Sequence, residues 1–149
     1  MSATCNFETV LLAELERKSL ITDEQRYRPV VLVVDNEPVI ADTRTAILAG
    51  WGYAPLTAYD VESALELASV IPPEVLIADV MLARMSGVDL AIGIRATVPD
   101  CKVVLFSERS GGDDSLTAAR KAGYKFAVLP KPVYPRELQA LLEELDLRK

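Results

Sequence analysis

The stretch Pro29-Val30-Val31-Leu32-Val33-Val34-Asp35-Asn36-Glu37-Pro38 decides the fold. Five apolar residues run unbroken and end in three polar ones, two of them acidic. A β-branched run of this kind reads as a strand buried on both faces. Pro38 suits the first position of a helix, where a missing N–H costs nothing. Asp35, Asn36 and Glu37 are therefore expected at the carboxyl end of a central strand. In open α/β sheets that edge is where binding and chemistry are placed.

Working outward, strands and helices alternate. Strands are predicted at Val30–Asp35, Tyr53–Ala58, Val75–Asp79, Lys102–Ser107 and Phe126–Leu129. The helix after the first strand spans Pro38 to Ala49, with Ile40, Thr43, Ile47 and Leu48 inward and Gly50 as its stop. Asp60 caps a second helix with Ala64, Leu65, Ala68 and Ile71 as its apolar set. Leu82 to Gly87 is a loop, and a third helix runs from there to about Thr97. A fourth covers roughly Asp113–Ala122, after the Ser110-Gly111-Gly112 loop. The last runs from Pro135 to Leu145, with Leu138, Leu141, Leu142 and Leu145 on one face. Strict alternation implies a parallel sheet with helices on both faces and right-handed crossovers.

Ahead of the first strand, residues 1–28 form an extension. Asn6 could cap a helix carrying Phe7, Val10, Leu11 and Leu15 at helical spacing. That stripe is expected to dock on its own domain or fray, with a dimer or partner contact as the alternative. Residues 29–149 form the domain.

The bulk properties narrow the function. The chain has 149 residues, half of them apolar, and a net charge of −6. One domain with one sizeable core is the expectation. Its acidity argues against direct contact with nucleic acid or an anionic membrane. No apolar stretch is long enough to span a bilayer, and the N-terminus shows no secretory pattern. Cys5 and Cys101 are expected as free thiols in a reducing cytoplasm. Histidine is absent, which removes Ser-His-Asp and Cys-His catalysis and makes the chain unable to donate a phosphoryl group from histidine. There is no Gly-x-Gly-x-x-Gly or Gly-x-x-x-x-Gly-Lys loop for a nucleotide.

Four strand ends carry reactive or charged residues: Asp35-Asn36-Glu37, Asp79, Ser107 and, just beyond the fifth strand, Lys131. In the order 2-1-3-4-5, strands 1 and 3 flank the switch point, placing Asp35 beside Asp79. Clustered carboxylates repel unless a cation is present, and hard oxygen ligands suit Mg²⁺. A lysine opposite them suggests an anionic guest, most simply a phosphoryl group.

The segments 31–38, 76–90, 103–107, Ala122-Gly123 and Lys131-Pro132 together resemble the receiver domain of bacterial two-component response regulators. The resemblance covers residues 29 to about 147 and implies a flavodoxin-like fold. It implies Asp79 as phosphoacceptor from a sensor histidine kinase or histidine phosphotransfer protein. It implies Mg²⁺ held by Asp79, Asn36, the Met81 backbone carbonyl and, through water, Asp35. Lys131 would pair with a phosphoryl oxygen. Ser107 would turn toward the phosphoryl group and reshape the face made by the fourth helix, fifth strand and last helix, where a downstream protein would dock.

The sequence departs from the family pattern in several places. Asn36 replaces a second acid, which predicts weaker Mg²⁺ binding. Glu108 replaces a small residue and would repel an incoming phosphate. Ala83 replaces a proline. The customary aromatic switch position falls near Val128, and Pro130 could turn Lys131 aside. Trp51 is expected away from the site. The expected function is a single-domain receiver. The rivals are a pseudo-receiver that works without phosphorylation and, less well supported, a Mg²⁺-dependent phosphatase.

Overall fold

The computed structural model describes residues 7–17, 27–108, 114–145 and 147. The elements in chain order are α1 (Phe7–Arg17), β1 (Val30–Val34), α2 (Pro38–Gly50), β2 (Ala54–Ala58), α3 (Val61–Val70), β3 (Val75–Asp79), α4 (Gly87–Thr97), β4 (Lys102–Ser107), α5 (Asp114–Lys121), β5 (Ala127–Pro130) and α6 (Pro135–Glu144). The expected Asn6 cap, Cys5 and the Ser110-Gly111-Gly112 loop lie outside the described residues.

Five strands form one sheet in the order β2-β1-β3-β4-β5, and every pair is parallel. The alternation was read as a parallel sheet with helices on both faces, and the strand order is the flavodoxin-like one that the resemblance implies. The sheet is buried on both faces because its central strands are apolar throughout. Val31–Val34 of β1 and Val75–Ala78 of β3 are fully buried. One layer packs Leu32, Val34, Leu76, Ala78 and Leu105 against α3, α4 and α5. The opposite layer packs Val31, Val33, Val75, Ile77, Val104 and Phe106 against Leu48 of α2 and Leu138 and Leu142 of α6. Side chains alternate between the layers along each strand, as the period of two requires.

Local chemistry sets the helix starts. Asp60 caps α3 by accepting from the Ser63 N–H at 2.7 Å, and Ser86 caps α4 by accepting from Val88 N–H at 3.0 Å. Three expected core positions are corrected. Leu65 and Ile71 are exposed, because α3 packs through its small residues Ala64 and Ala68. Thr43 faces outward, its hydroxyl bonding the Val39 carbonyl at 2.7 Å; Ala41 and Leu48 take the buried stripe of α2. In α1, residues 8–13 are exposed, so Val10 and Leu11 are not covered by the sheet domain.

Candidate functional site

The sheet register builds the site. Val34 of β1 pairs with Ala78 of β3, so the residues that follow, Asp35 and Asp79, emerge side by side at the switch point. Asp79 pairs across to Phe106, and Ser107 to Pro130 on the edge strand β5. The Lys131 N–H donates to the Ser107 carbonyl at 2.8 Å. Proline is tolerated in β5 because an edge strand leaves one side of its ladder unpaired. Pro130 does not turn Lys131 aside: Nζ donates to Asp79 Oδ2 at 3.0 Å.

Both aspartates are nearly buried, Asp35 2 % and Asp79 9 % exposed. Asp35 Oδ1 accepts from the Glu37 N–H at 2.8 Å. Asp35 Oδ2 accepts from Arg44 Nη1 at 3.0 Å. The same nitrogen stands 3.5 Å from Asp79 Oδ1, a buried oxygen that accepts no hydrogen bond among the described residues. Arg44 also lies over the Phe106 ring, 4.5 Å from its centroid, a favourable cation–π position. Glu108 ion-pairs with Lys131 at 3.4 Å from a largely exposed position.

Burial pushes the Asp79 carboxyl above its usual value; the Lys131 bond and the charges of Arg44 and Lys131 pull it back only in part. Burial lowers the Lys131 ammonium, but its bonds to Asp79 and Glu108 outweigh this and hold it above the ordinary lysine value.

A cleft of about 480 Å³ opens beside these groups. One wall is a single face of α2 and its approach: Glu37, Ile40, Arg44, Ile47 and Trp51, spaced three and four apart. Asp79, Phe106, Glu108 and Lys131 line the rest of the acidic end, and Val133 and Leu138 part of the opposite wall. Trp51, expected not to stand beside the site, lines the same cleft as Asp79. It lies two turns beyond Arg44 on the same stripe, a spacing readable in the sequence. Arg44 itself went unread, because its charge argued for an outward position. The 37/40/44/47/51 spacing was the available signal.

The structure brings Asp35, Asp79 and Lys131 together, and adds Arg44. It does not bring Asn36 or Ser107 into the cleft. Asn36 is exposed and lines a separate groove with Tyr59, Asp60, Leu82 and Arg84. Ser107 is half-buried, its hydroxyl donating to the Glu108 carbonyl at 3.3 Å. Met81 lies in an isolated bridge to Ser86. That bridge is closed by the bonds Leu82 N–H to Met85 O and Gly87 N–H to Val80 O, so the Met81 carbonyl is not spent on it.

These residues fit a divalent cation only in part. The buried Asp79 Oδ1 without a hydrogen bond is a natural ligand. Yet two carboxylates converge instead of three, Asn36 faces another groove, and a guanidinium occupies the space between Asp35 and Asp79. Among the described residues no cluster of three acidic, histidine or cysteine side chains could hold a metal.

Fold and site define a doubly wound α/β domain with a buried acidic pair, flanked by two cations, at its switch point. The chain belongs to the response regulator receiver domain family, whose model matches residues 31–143. Among curated relatives, it is 34% identical over 100 residues to the probable transcriptional regulatory protein TcrX of Mycobacterium tuberculosis, covering 67% of this chain and 43% of that protein. It is 30% identical over 125 residues to the nitrogen assimilation regulatory protein NtrX of Azorhizobium caulinodans, covering 80% of this chain and 27% of that one. The chain therefore spans less than half the length of these relatives. Among solved structures, a CheY-like receiver domain protein from Methanospirillum hungatei superposes with a TM-score of 0.72 at 24% identity, over 80% of this chain and 94% of that one. A putative response regulator from Chloroflexus aurantiacus gives 0.68 at 27% identity, over 82% and 100%.

Proposed function

We propose that the chain accepts a phosphoryl group on Asp79 from a phosphohistidine of a sensor kinase or phosphotransfer protein, in cytoplasmic two-component signalling. The observation that carries this reading is Asp79 itself. It is a nearly buried carboxylate with one oxygen held by Lys131 and the other, Oδ1, accepting no hydrogen bond beside an open cleft.

In this reading a carboxylate oxygen of Asp79 attacks the phosphorus of the incoming phosphohistidine. A P–O bond forms as the P–N bond breaks, the imidazole leaves with the bonding pair, and an acyl phosphate remains. Such transfer needs alignment and charge neutralisation more than covalent assistance. Lys131 supplies a cation to a phosphoryl oxygen. Its pairing with Glu108 must loosen first, since that acid otherwise draws the ammonium toward solvent. The new charge acts on Ser107 and Lys131, which join β4 to β5, and so on the α5–β5–α6 face offered to a downstream protein. Val128, half-buried on β5, replaces an aromatic switch with an aliphatic one.

A pseudo-receiver that binds its partner without phosphorylation is the second reading. It is favoured by the Glu108–Lys131 pair and by Arg44 between the two aspartates. Incubation with acetyl phosphate, read by intact mass, separates the two. Phosphoryl acceptance predicts a gain of one phosphoryl group that Asp79→Asn abolishes and Lys131→Met greatly reduces. An unmodified wild-type chain that still captures its kinase supports the pseudo-receiver.

A further inference from the structure

The four carboxylate oxygens of the acidic pair divide in two. Asp35 Oδ1 is taken by the Glu37 N–H and Asp79 Oδ2 by Lys131. The remaining two, Asp35 Oδ2 and Asp79 Oδ1, both face one nitrogen of Arg44, at 3.0 and 3.5 Å. Two nearly buried aspartates on adjacent strands repel strongly unless a cation lies between them, and here the chain provides its own. The guanidinium is held in place, not loosely solvated. Its side chain is 21 % exposed and rests on the Phe106 ring. The planar, delocalised head suits this role, because it can meet two carboxylates at once.

A divalent ion that ligates both aspartates meets the guanidinium that already lies between them. Among the described residues no third acid joins the pair in a group that could hold a metal, so nothing there favours a doubly charged ion over the tethered single charge. Glu37 and Glu108 also line the cleft, and Glu108 is turned to Lys131. We infer that Arg44 is a built-in cation that neutralises the Asp35–Asp79 pair and competes with Mg²⁺ for it. This rests on the reading of the cleft as the functional site. Mg²⁺ enters only as Arg44 swings out toward the open side of the cleft, and without Mg²⁺ the pair is still neutralised.

The test is a titration of the full chain with Mg²⁺ at constant ionic strength, following the amide NMR signals of Asp35 and Asp79. Arg44→Met, which keeps the length and apolar stem, is expected to bind Mg²⁺ at least about tenfold more tightly than the wild type, a gap of about 1.4 kcal/mol. Arg44→Lys should lie between, since a point charge cannot serve both carboxylates equally. Affinities equal within about twofold for all three chains would overturn the inference.

Arg44→Met leaves two buried carboxylates without their cation and so melts lower without Mg²⁺. Recovery of its melting temperature by Mg²⁺, with little change in the wild type, counts for the competition; equal response of both counts against it. If Arg44→Met does not fold at any Mg²⁺ concentration, Arg44→Lys decides by tightening or not. Acetyl phosphate treatment of the same samples keeps the two readings apart. Competition without any phosphoryl adduct leaves this inference standing and removes phosphoryl acceptance; an adduct with equal Mg²⁺ affinities does the reverse.

Discussion

Asp79 is a carboxylate at odds with its surroundings. Burial raises its native value above the ordinary one, so the native state binds that proton more tightly than the unfolded chain. Below the ordinary aspartate range both states are protonated and nothing is lost. As pH rises through the window between the ordinary and the raised value, the native state loses stability, and the loss is then constant. Asp79→Asn removes it. Without Mg²⁺, the variant is expected to melt above the wild type at neutral pH, with the gap closing on acidification below the ordinary aspartate value. Thermal melts across that range check this, and a gap that widens on acidification would contradict it. At this scale, the sequence placed Asp35, Asp79 and Lys131 on one rim because strand ends are readable from where apolar runs stop. Arg44 was not legible. A charge is assigned outward by default, and only the partner carboxylates, 9 and 35 residues away in the chain, bring it in.

The elements were legible where periodicity was unmistakable. The β-branched run Val30–Val34 read as a strand buried on both faces, and the alternation made its sheet parallel. Helix phase was less legible. The stripe of α2 was read through Thr43, whereas small Ala41 is the residue the sheet admits. The β3–α4 connection depends on Gly87. A Cβ there would stand 2.0 Å from the Asp79 carbonyl oxygen, a contact with backbone that no rotamer relieves. Gly87→Ala is therefore expected to cost roughly 2 kcal/mol or more, the scale of an overpacked site. It should also displace the Asp79 amide signal, because the Gly87 N–H bonds the Val80 carbonyl. A denaturant melt with an amide NMR spectrum measures both. An unshifted Asp79 at wild-type stability would show that the turn relaxes freely.

For the whole molecule, the described residues of core and site all lie from residue 27 onward. Tyr27 already ties the entry to β1 through its hydroxyl bond to Glu74. The described side chains of α1, residues 8–13, are exposed and Val10, Leu11 and Leu12 are uncovered apolar groups. A chain starting at Tyr27 is expected to melt within about 4 °C of the full one, the shift that ~1 kcal/mol produces in a domain of this size. Calorimetry reads the difference, and a much larger loss would mean that the extension is part of the fold. The layered fold was legible because alternation admits so few topologies. Whether α1 meets a partner was not, because an apolar helical stripe reads alike whether its own domain or another chain covers it.

If Asp79 carries the phosphoryl group, the modification can be located on it. The chain is treated with acetyl phosphate, reduced with borohydride to trap the acyl phosphate as homoserine, digested and sequenced by mass spectrometry. Homoserine is expected at position 79 and at no other aspartate, with none formed in Asp79→Asn. Trapping at Asp35 or Glu108, or no trapped residue in a chain that stays folded, would contradict it.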